Sequence, residues 1–221
     1  MGIRNELTEL FRTIISWIFP PEPLAAELET VTPAGLRKQA GRVILQPANF
    51  INSCFDYHTP IIRQAVWEIK YRGNPKIASL LGQILYEEII SELAEKAIFE
   101  KFDNPLLIPI PLSAKRLRDR GFNQSELLAK EIIRNDSQKI LELDTKSFLK
   151  IKDTSPQTKI SREKRLKNLA DCFQVAEPKA IVNRNIILLD DVCTTGATLK
   201  EARRMLEASG AKSVLAFTVA H

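Results

Sequence analysis

Two adjacent carboxylates follow a strongly apolar stretch near the end of the sequence. Asp190 and Asp191 come directly after residues 186–189, which are four consecutive aliphatic residues. Such a run is typical of a central strand in a parallel sheet, because both faces of that strand are buried. The pair is therefore expected at the carboxyl end of a buried strand, where open α/β sheets bind their ligands.

The residues after the pair have the chemistry of a phosphate site. A helix N-terminus offers unpaired N–H groups and a partial positive charge, and glycine and small hydroxylated residues let an anion approach closely. We predict that a monophosphate is bound by Thr194, Thr195, Gly196, Ala197 and Thr198. Asp190 and Asp191 can accept hydrogen bonds from two vicinal hydroxyls, so phosphate and diol together indicate a ribose 5-phosphate site. A capped strand-to-helix turn without a ligand is the alternative.

The elements around this loop follow an α/β pattern. Aliphatic runs predict strands at 43–45, 51–57, 106–110, 147–151, 172–175, 186–189 and 214–219. Helical spacing and capping residues predict helices that begin at Thr59, run over 76–99, cover 127–133 and run over 198–209. Strand, helix and strand at the C-terminus form a right-handed βαβ unit. We expect a mainly parallel sheet flanked by helices.

The first 50 residues are predicted to be a small helical addition to a main domain at 51–221. Apolar residues between Ile3 and Ile18 recur at helical spacing, and prolines at 20–23 end that helix. Residues 20–40 are predicted to be a linker or a loosely held segment. We expect the helix to pack on the main domain or on a partner; a membrane surface is less favoured, because its polar face is not rich in Lys and Arg.

Composition indicates a globular protein and excludes several classes. The 221 residues are 44% hydrophobic, and 32 basic against 27 acidic residues give a mild net charge of +5. The three cysteines, Cys54, Cys172 and Cys193, are too widely spaced for a zinc site. They favour a reducing compartment. With no apolar run long enough to span a bilayer, we expect a cytoplasmic protein, and association into a homodimer stays open.

Four segments resemble known proteins. The stretch at 186–199 reads IILLDDVCTTGATL and resembles the phosphoribosyl pyrophosphate motif of type I phosphoribosyltransferases. The other three segments resemble the ComF family, which are competence-associated proteins with a phosphoribosyltransferase domain. They are WEIKYRG at 67–73, LIPIPLSAKRLRDRGFNQSELL at 107–128 and TSPQTKISREKRLKNLADCF at 154–173. The likeness covers about 55–221. ComF proteins often carry an N-terminal cysteine zinc module, but residues 1–50 here hold no cysteine.

The resemblance implies positions for the leaving group and for a lid. Pyrophosphate would be bound after the turn at 109–113 by Pro111, Ser113, Lys115, Arg116 and Arg120, since guanidinium groups bind phosphate through two hydrogen bonds. A solvated basic helix end is the alternative. The mobile loop of the superfamily would correspond to 150–168, with Gln157, Arg162 and Arg165 in the lid that excludes water. A plain surface loop is the alternative there.

The reaction implied by the resemblance is displacement of pyrophosphate at the anomeric carbon of phosphoribosyl pyrophosphate. The acceptor would be a nitrogen of a nucleobase or an amine, and Mg²⁺ would bridge pyrophosphate and ribose hydroxyls. Asp190 and Asp191 would be the catalytic residues that orient the ribose. The alternative is a non-catalytic ComF-like module in DNA uptake or regulation, and the charge of +5 is compatible with weak contact to single-stranded DNA.

Four further features are assigned structural roles. KYRG at 70–73 is either part of the superfamily's hood, which selects the acceptor base, or a basic helix C-terminus, and we favour the latter. Trp67 is expected in the core and His58 in a turn. Cys193 is expected to pack rather than to act as a nucleophile, because no histidine is near it in the sequence.

Overall fold

The described chain alternates helices with strands. The computed structural model describes residues 23–41, 43, 48–97, 102–153 and 171–221. The elements are α1 (Pro23–Leu28), α2 (Pro33–Ala40), β1 (Ile51–Phe55), α3 (Pro60–Trp67), the π-helical turn Glu68–Arg72, which we call the π-turn, α4 (Pro75–Ala97), β2 (Leu106–Pro109), α5 (Ala114–Arg120), α6 (Gln124–Asn135), β3 (Glu142–Leu143), β4 (Phe148–Lys150), β5 (Phe173–Val175), α7 (Pro178–Ile181), β6 (Asn185–Val192), α8 (Ala197–Ala208) and β7 (Ser213–Ala220).

Five strands form one parallel sheet in the order β1-β7-β6-β2-β3. β6 is the central strand, and Ile187 lies in register with Leu107 of β2 on one side and Leu215 of β7 on the other. Every neighbouring pair in this sheet is parallel. The predicted α/β class with a mainly parallel sheet is confirmed. β4 and β5 are also strands, but they pair with each other as a separate antiparallel ribbon.

Both faces of β6 are buried. Ile187 and Leu189 belong to the core cluster that also takes in α3, α4 and α6. Ile186 and Leu188 belong to a second cluster with α7, α8 and the β4–β5 ribbon. Successive side chains of a strand point to opposite faces, so four aliphatic residues in a row fill both layers of the core.

The predicted linker at 20–40 is wrong for the part that the structure describes. Residues 23–28 and 33–40 are helical, and Leu28 and Leu36 are buried in the core beside the sheet. Thr32 caps α2 by accepting a hydrogen bond of 3.1 Å from the N–H of Gly35. Pro23 and Pro33 occupy the first positions of α1 and α2, where proline is well tolerated. The predicted helix at 3–18 lies outside the described residues, and the boundary at 50 stays a prediction.

Helices α4 and α6 approach each other closely on one face of the sheet. A Cβ atom added at Gly82 of α4 would fall on the Cβ atom of Glu131 in α6. The absence of a side chain at Gly82 therefore lets the two helices pack at short range. This contact holds α6, whose first turn carries Ser125, against the carboxyl end of the sheet.

Three smaller findings complete the fold. No helix among the described residues is long and apolar enough to cross a membrane. His58 lies in a turn, where its backbone N–H donates to Asp56 over 2.7 Å, as predicted. Trp67 is only partly buried and packs on Tyr71 with ring centroids 5.5 Å apart, so its prediction as a core residue is wrong.

Candidate functional site

The two carboxylates lie near the C-terminal end of the central strand, β6. β6 runs to Val192, so Asp190 and Asp191 are still hydrogen-bonded members of the sheet. Asp190 Oδ1 accepts hydrogen bonds of 2.9 Å from Ser125 Oγ and from the backbone N–H of Asp191. Asp191 is buried, and its Oδ1 accepts 2.7 Å from the N–H of Val192. The strand and α6 thus fix both side chains before any ligand arrives.

Asp190 has an unusual proton affinity. Burial, together with the neighbouring charge of Asp191, raises the pKa of Asp190 from 3.8 to about 7. The hydrogen bond from Ser125, the N–H of Asp191 and the charge of Lys70 act in the opposite direction. The carboxyl can therefore gain or lose a proton close to neutral pH.

Lys70 is a member of this site that sequence reasoning missed. Its Nζ lies 3.3 Å from Asp191 Oδ2, and its side chain is only 25% exposed. The interpretation that we favoured, a basic helix C-terminus, fits the position of Lys70 in the last turn before Gly73, but it did not include the contact of Lys70 with Asp191. The KYRG pattern was a signal, but it did not indicate which residue the lysine would face.

The loop that follows the carboxylates has the predicted helix start. Gly196 is the N-cap of α8 in a left-handed conformation with φ 71° and ψ 4°, and no side chain caps this helix. A Cβ atom at Gly196 would lie 3.1 Å from Ile51 Cδ1. Thr194 and Thr195 are exposed, whereas Ala197 and Thr198 are partly buried. The N–H of Ala197, the first in α8, donates 3.4 Å to Thr195 Oγ1, and the assignment of this helix start to a phosphate stays a prediction.

Cys193 lies inside this loop but is buried. Burial, with a contribution from the charge of Asp190, raises the pKa of the Cys193 thiol to about 11. His221 is near it in space: its Nδ1 lies 2.9 Å from the carbonyl oxygen of Cys193, not beside the sulfur. A protonated thiol without a base beside it fits the packing role better than nucleophilic catalysis.

The residues assigned to pyrophosphate lie in two places: most are in the turn at 109–113 and the first turn of α5, and Arg120 is at the other end of α5. The N–H of Ile110 donates 2.8 Å to the carbonyl of Leu189, which holds the turn at 109–113 beside β6. Ser113, the N-cap of α5, donates 2.7 Å to Asp153 Oδ1, and Lys115 Nζ lies 4.0 Å from Asp153 Oδ2.

Pro111, which is partly buried, belongs to the same turn. Arg116 lies in the first turn of α5, where its backbone N–H donates 3.4 Å to Ser113 Oγ. Arg120 lies at the opposite end of α5, where it donates to Gln124 and stands 5.9 Å from the ring of Tyr71. Arg120 is therefore placed beside the KYRG segment, whereas Ser113 and Lys115 face the start of the predicted lid.

The predicted lid residues Gln157, Arg162 and Arg165 lie outside the described residues, but the flanks of that segment are described. On one side Asp153 contacts Ser113. On the other side the N–H of Asp171 donates 2.8 Å to Glu201, and Arg204 donates 2.7 Å to Asp171 Oδ1. Each flank is thus attached to an element that carries one of the two predicted anion sites, α5 or α8.

Lys150 of β4 is a further cation that sequence reasoning named only as a boundary of the lid. Its Nζ lies 5.4 Å from the centre of the Phe173 ring. Burial lowers the pKa of Lys150, and Asp190 and Asp153 are among the charges that oppose this shift. The β4–β5 ribbon therefore carries a partly desolvated ammonium group whose charge interacts with that of Asp190.

Comparison with known proteins identifies relatives. No protein-family model matches the chain. Competence protein ComFC of Bacillus subtilis is 31% identical over 163 residues, which are 73% of this chain and 60% of that protein. Competence protein F of Haemophilus influenzae is 33% identical over 49% of this chain and 46% of its own length. The chain is a homologue of the ComF proteins.

The ComF resemblance inferred from the sequence is thereby confirmed. DNA utilization protein YhgH of Escherichia coli K12 is a further relative, 27% identical over 71% of this chain and 66% of that protein. The chain spans about three fifths of ComFC. Among solved structures, hypoxanthine-guanine phosphoribosyltransferase of Leishmania tarentolae in complex with GMP covers 66% of the chain at 14% identity, with a TM-score of 0.37.

Proposed function

We propose that the chain binds phosphoribosyl pyrophosphate and transfers its phosphoribosyl group to a nitrogen acceptor, with release of pyrophosphate. One observation carries the proposal: the carboxylate pair Asp190–Asp191 near the end of β6 precedes an uncapped helix start at Gly196, and a basic helix, α5, follows the neighbouring strand β2. Two carboxylates that can accept hydrogen bonds from a diol, together with two anion sites, match the ribose, the 5-phosphate and the pyrophosphate of that ligand. The resemblance of residues 186–199 to the phosphoribosyl pyrophosphate motif supports the same assignment.

Asp190 and Asp191 would orient the ribose. Asp190 Oδ1 already accepts two hydrogen bonds, from Ser125 and from the backbone. Asp190 Oδ2 accepts none from the described residues and can accept one from a ribose hydroxyl. Because Asp190 titrates near neutral pH, the same oxygen can take up the proton that the attacking nitrogen releases.

Mg²⁺ fits this site as an ion carried mainly by the ligand. Among the described residues no cluster of three or more His, Cys, Asp or Glu side chains could hold a metal by itself. Mg²⁺ in proteins keeps several waters and binds through one or two carboxylates plus substrate phosphates, and Asp190 and Asp191 supply oxygen ligands of that kind. When bound, it would neutralise charge on the leaving pyrophosphate.

The remaining residues would bind the two phosphate ends. The N–H groups after Gly196 and the hydroxyls of Thr194, Thr195 and Thr198 would hold the 5-phosphate. Ser113, Lys115 and Arg116 would bind pyrophosphate, since their side chains supply a hydroxyl and two positive charges. In this arrangement the residues act by positioning the reactants and by stabilising developing charge.

Calorimetry with phosphoribosyl pyrophosphate in the presence and absence of Mg²⁺ tests the proposal. The native chain should bind, and the double variant Asp190→Asn, Asp191→Asn should lose most of that affinity while remaining folded. The matched control, Asp119→Asn with Glu207→Gln, removes two charges from exposed positions and should bind normally. A pyrophosphate-release screen over nucleobases and amines then identifies the acceptor. Undiminished binding by the Asp190, Asp191 double variant would refute the ribose assignment.

A second candidate function is binding of single-stranded DNA without turnover. The relatives' names, competence protein and DNA utilization protein, favour it. So does the surface beside the site, because Tyr71 is 60% exposed next to Arg120 and none of the α5 residues is buried. An exposed aromatic ring beside basic side chains is the usual means of binding single strands. Submicromolar, salt-dependent DNA binding that phosphoribosyl pyrophosphate does not affect would support this function over the first.

A further inference from the structure

We propose that a pocket at the amino edge of the sheet binds a second ligand, a small phosphate ester that also carries hydroxyl groups. The pocket includes Asn185, the first residue of β6, whereas Asp190 and Asp191 lie near the other end of that strand. It is therefore separate from the site proposed for phosphoribosyl pyrophosphate, and its ligand does not depend on that function.

Four neighbouring strands of the sheet begin at this pocket. Its volume is about 480 Å³, which is within the range of small-molecule sites. Its walls come from the segments that lead into β2, β3, β6 and β7, which are residues 103–104, 139–142, 183–185 and 212. These four strands are adjacent in the sheet, so one ligand can contact all four segments.

The lining of the pocket is polar and more basic than acidic. Of its ten residues only Ile140 and Leu141 are apolar, and Leu141 is buried in the core cluster. Three basic and two acidic residues make up half of the lining, and they are Lys139, Arg184, Lys212, Asp103 and Glu142. Such walls offer little to an apolar molecule, but they supply charge and hydrogen-bonding groups to an anion.

Arg184 is the fixed cation of the pocket. Its Nη2 donates 2.7 Å to Glu142 Oε2 and 3.3 Å to the carbonyl oxygen of Asn104, and its side chain is 31% exposed. The carbonyl oxygen of Arg184 accepts 2.8 Å from the N–H of Lys212, which joins the two basic residues through their backbones. Guanidinium groups bind phosphate well, and a group that is already oriented loses less conformational entropy when a ligand binds.

The backbone around the pocket is unusual at three positions. Lys139 has a left-handed φ of 55°, Asn104 a φ of 41° and Asn183 a φ of 59°. Among the described residues only four other than glycine have a positive φ, and these three line the same pocket. Asparagine tolerates this conformation, whereas lysine adopts it rarely. Strained backbones of this kind cluster at ligand sites.

Lys139 supplies a second positive charge. It is exposed, and no described residue forms an ion pair with it. Its charge is therefore available to a phosphate, whereas the charge of Arg184 is shared with Glu142. Two cations, one fixed and one exposed, suit the phosphate group of a small ester.

Acceptors for hydroxyl groups lie beside these cations. The carbonyl oxygen of Asp103 accepts 3.3 Å from Asn185 Nδ2, and that of Asn104 accepts 3.3 Å from Arg184. A carbonyl oxygen has two lone pairs, so each can accept a second hydrogen bond. The exposed carboxylate of Asp103 adds further acceptor oxygens. A phosphate ester with hydroxyl groups uses both halves of the pocket, whereas inorganic phosphate uses only the basic half.

NMR titration of the native chain tests the proposal at individual residues. Ribose 5-phosphate and glucose 6-phosphate should each shift the backbone amide signals of Asn104, Lys139 and Asn183 until saturation. Inorganic phosphate should bind there more weakly, and glucose should leave these signals in place. The signals of Thr195 and Gly196 report the site proposed for phosphoribosyl pyrophosphate separately, so failure of one proposal is distinguished from failure of the other. Esters that bind the pocket no more tightly than inorganic phosphate would overturn the proposal, as would the absence of saturable shifts.

Charge variants determine the sign of the electrostatic contribution. Lys139→Gln should weaken binding of ribose 5-phosphate in the pocket about fivefold, because one charged contact is lost. Glu142→Gln should strengthen it about threefold, because a negative charge beside Arg184 is removed. Lys38→Gln, an exposed lysine of α2 outside the pocket, is the matched control and should have no effect. Affinities that change in the opposite directions, or not at all, would refute an anion site.

Lys139→Gly separates ligand binding from a role in the fold. Glycine adopts a φ of 55° without strain, so the variant should melt no lower than the native chain. It should nevertheless bind ribose 5-phosphate as weakly as Lys139→Gln. A lower Tm together with unchanged affinity would show that Lys139 serves the fold and not a ligand.

Discussion

The hydroxyl of Ser113 donates a hydrogen bond of 2.7 Å to Asp153 Oδ1, while its oxygen caps α5 by accepting from the N–H of Arg116. Lys115 Nζ lies 4.0 Å from the other oxygen of the same carboxylate. Ser113 and Lys115 are two of the groups proposed to bind pyrophosphate. Asp153 is therefore placed to compete with the leaving group for the same donors.

Asp153→Asn is expected to bind inorganic pyrophosphate about fivefold more tightly than the native chain, because a competing negative charge is removed. Calorimetry with pyrophosphate and Mg²⁺ measures this. Asp171→Asn is the control, because Asp171 flanks the other end of the same segment and pairs with Arg204 instead. Equal or weaker pyrophosphate affinity in Asp153→Asn would show that Asp153 does not compete.

The pKa of Asp190 makes stability depend on pH. Because the pKa is raised from 3.8 to about 7 in the folded chain, the folded state holds more protons than the unfolded state between these values. The free energy of unfolding that this group contributes therefore falls as the pH rises from about 4 to about 7, and it changes little above.

Asp190→Asn removes this dependence. The difference in free energy of unfolding between the variant and the native chain should rise in favour of the variant from pH 5 to pH 8, by on the order of 2 kcal/mol. Urea denaturation followed by circular dichroism at several pH values measures the difference. Asp119→Asn, at an exposed position, should show no such gain. A stability difference for Asp190→Asn that is the same at pH 5 and pH 8 would contradict the raised pKa.

Gly196→Ala should destabilise the chain more than Gly121→Ala. Both glycines have left-handed backbones, with φ of 71° and 86°, but only Gly196 lies against another side chain, Ile51. Backbone strain should destabilise each variant by about 1 kcal/mol, and the Ile51 contact should add to the loss in Gly196→Ala. Thermal denaturation of both variants measures this, and equal losses would show that Ile51 moves away without cost.

Arg116→Ala and Arg120→Ala should distinguish the two proposed functions. If these arginines bind pyrophosphate, each change should weaken binding of phosphoribosyl pyrophosphate about tenfold, as expected for a lost charge-assisted hydrogen bond. Arg63→Ala, on the exposed side of α3, is the control. If they bind DNA instead, the variants should reduce the slope of single-strand affinity against salt concentration. Fluorescence anisotropy at several salt concentrations measures that slope.

The central part of the fold could be predicted from local sequence patterns. β6, the loop after it and α8 were predicted because aliphatic residues, a carboxylate pair and small residues follow one another within a short stretch. The segment at 23–40 was predicted wrongly, because proline and glycine there open and close short helices rather than mark a linker. Proline has both roles, and only burial of Leu28 and Leu36 distinguishes them.

The contacts of the site depend on the tertiary structure and could not be predicted. The pairing of Lys70 with Asp191 joins residues that are far apart in the chain, and Lys70 lies in a π-helical turn that no sequence pattern indicates. Trp67 has helical spacing with apolar residues, but it is only partly buried at the end of α3, while Ile69 two residues later is buried in the core. The predicted roles of the loop and basic residues stay predictions until ligand binding is measured.

The close packing at Gly82 limits how this site can be reused in protein engineering. Gly82 lets α4 approach Glu131 of α6, and α6 places the Ser125 hydroxyl on Asp190. A graft of residues 190–198 alone onto another α/β scaffold would lack that hydroxyl and would leave Asp190 with a different proton affinity. A functional transplant would have to include the helix pair, with glycine at the crossing point, together with the loop.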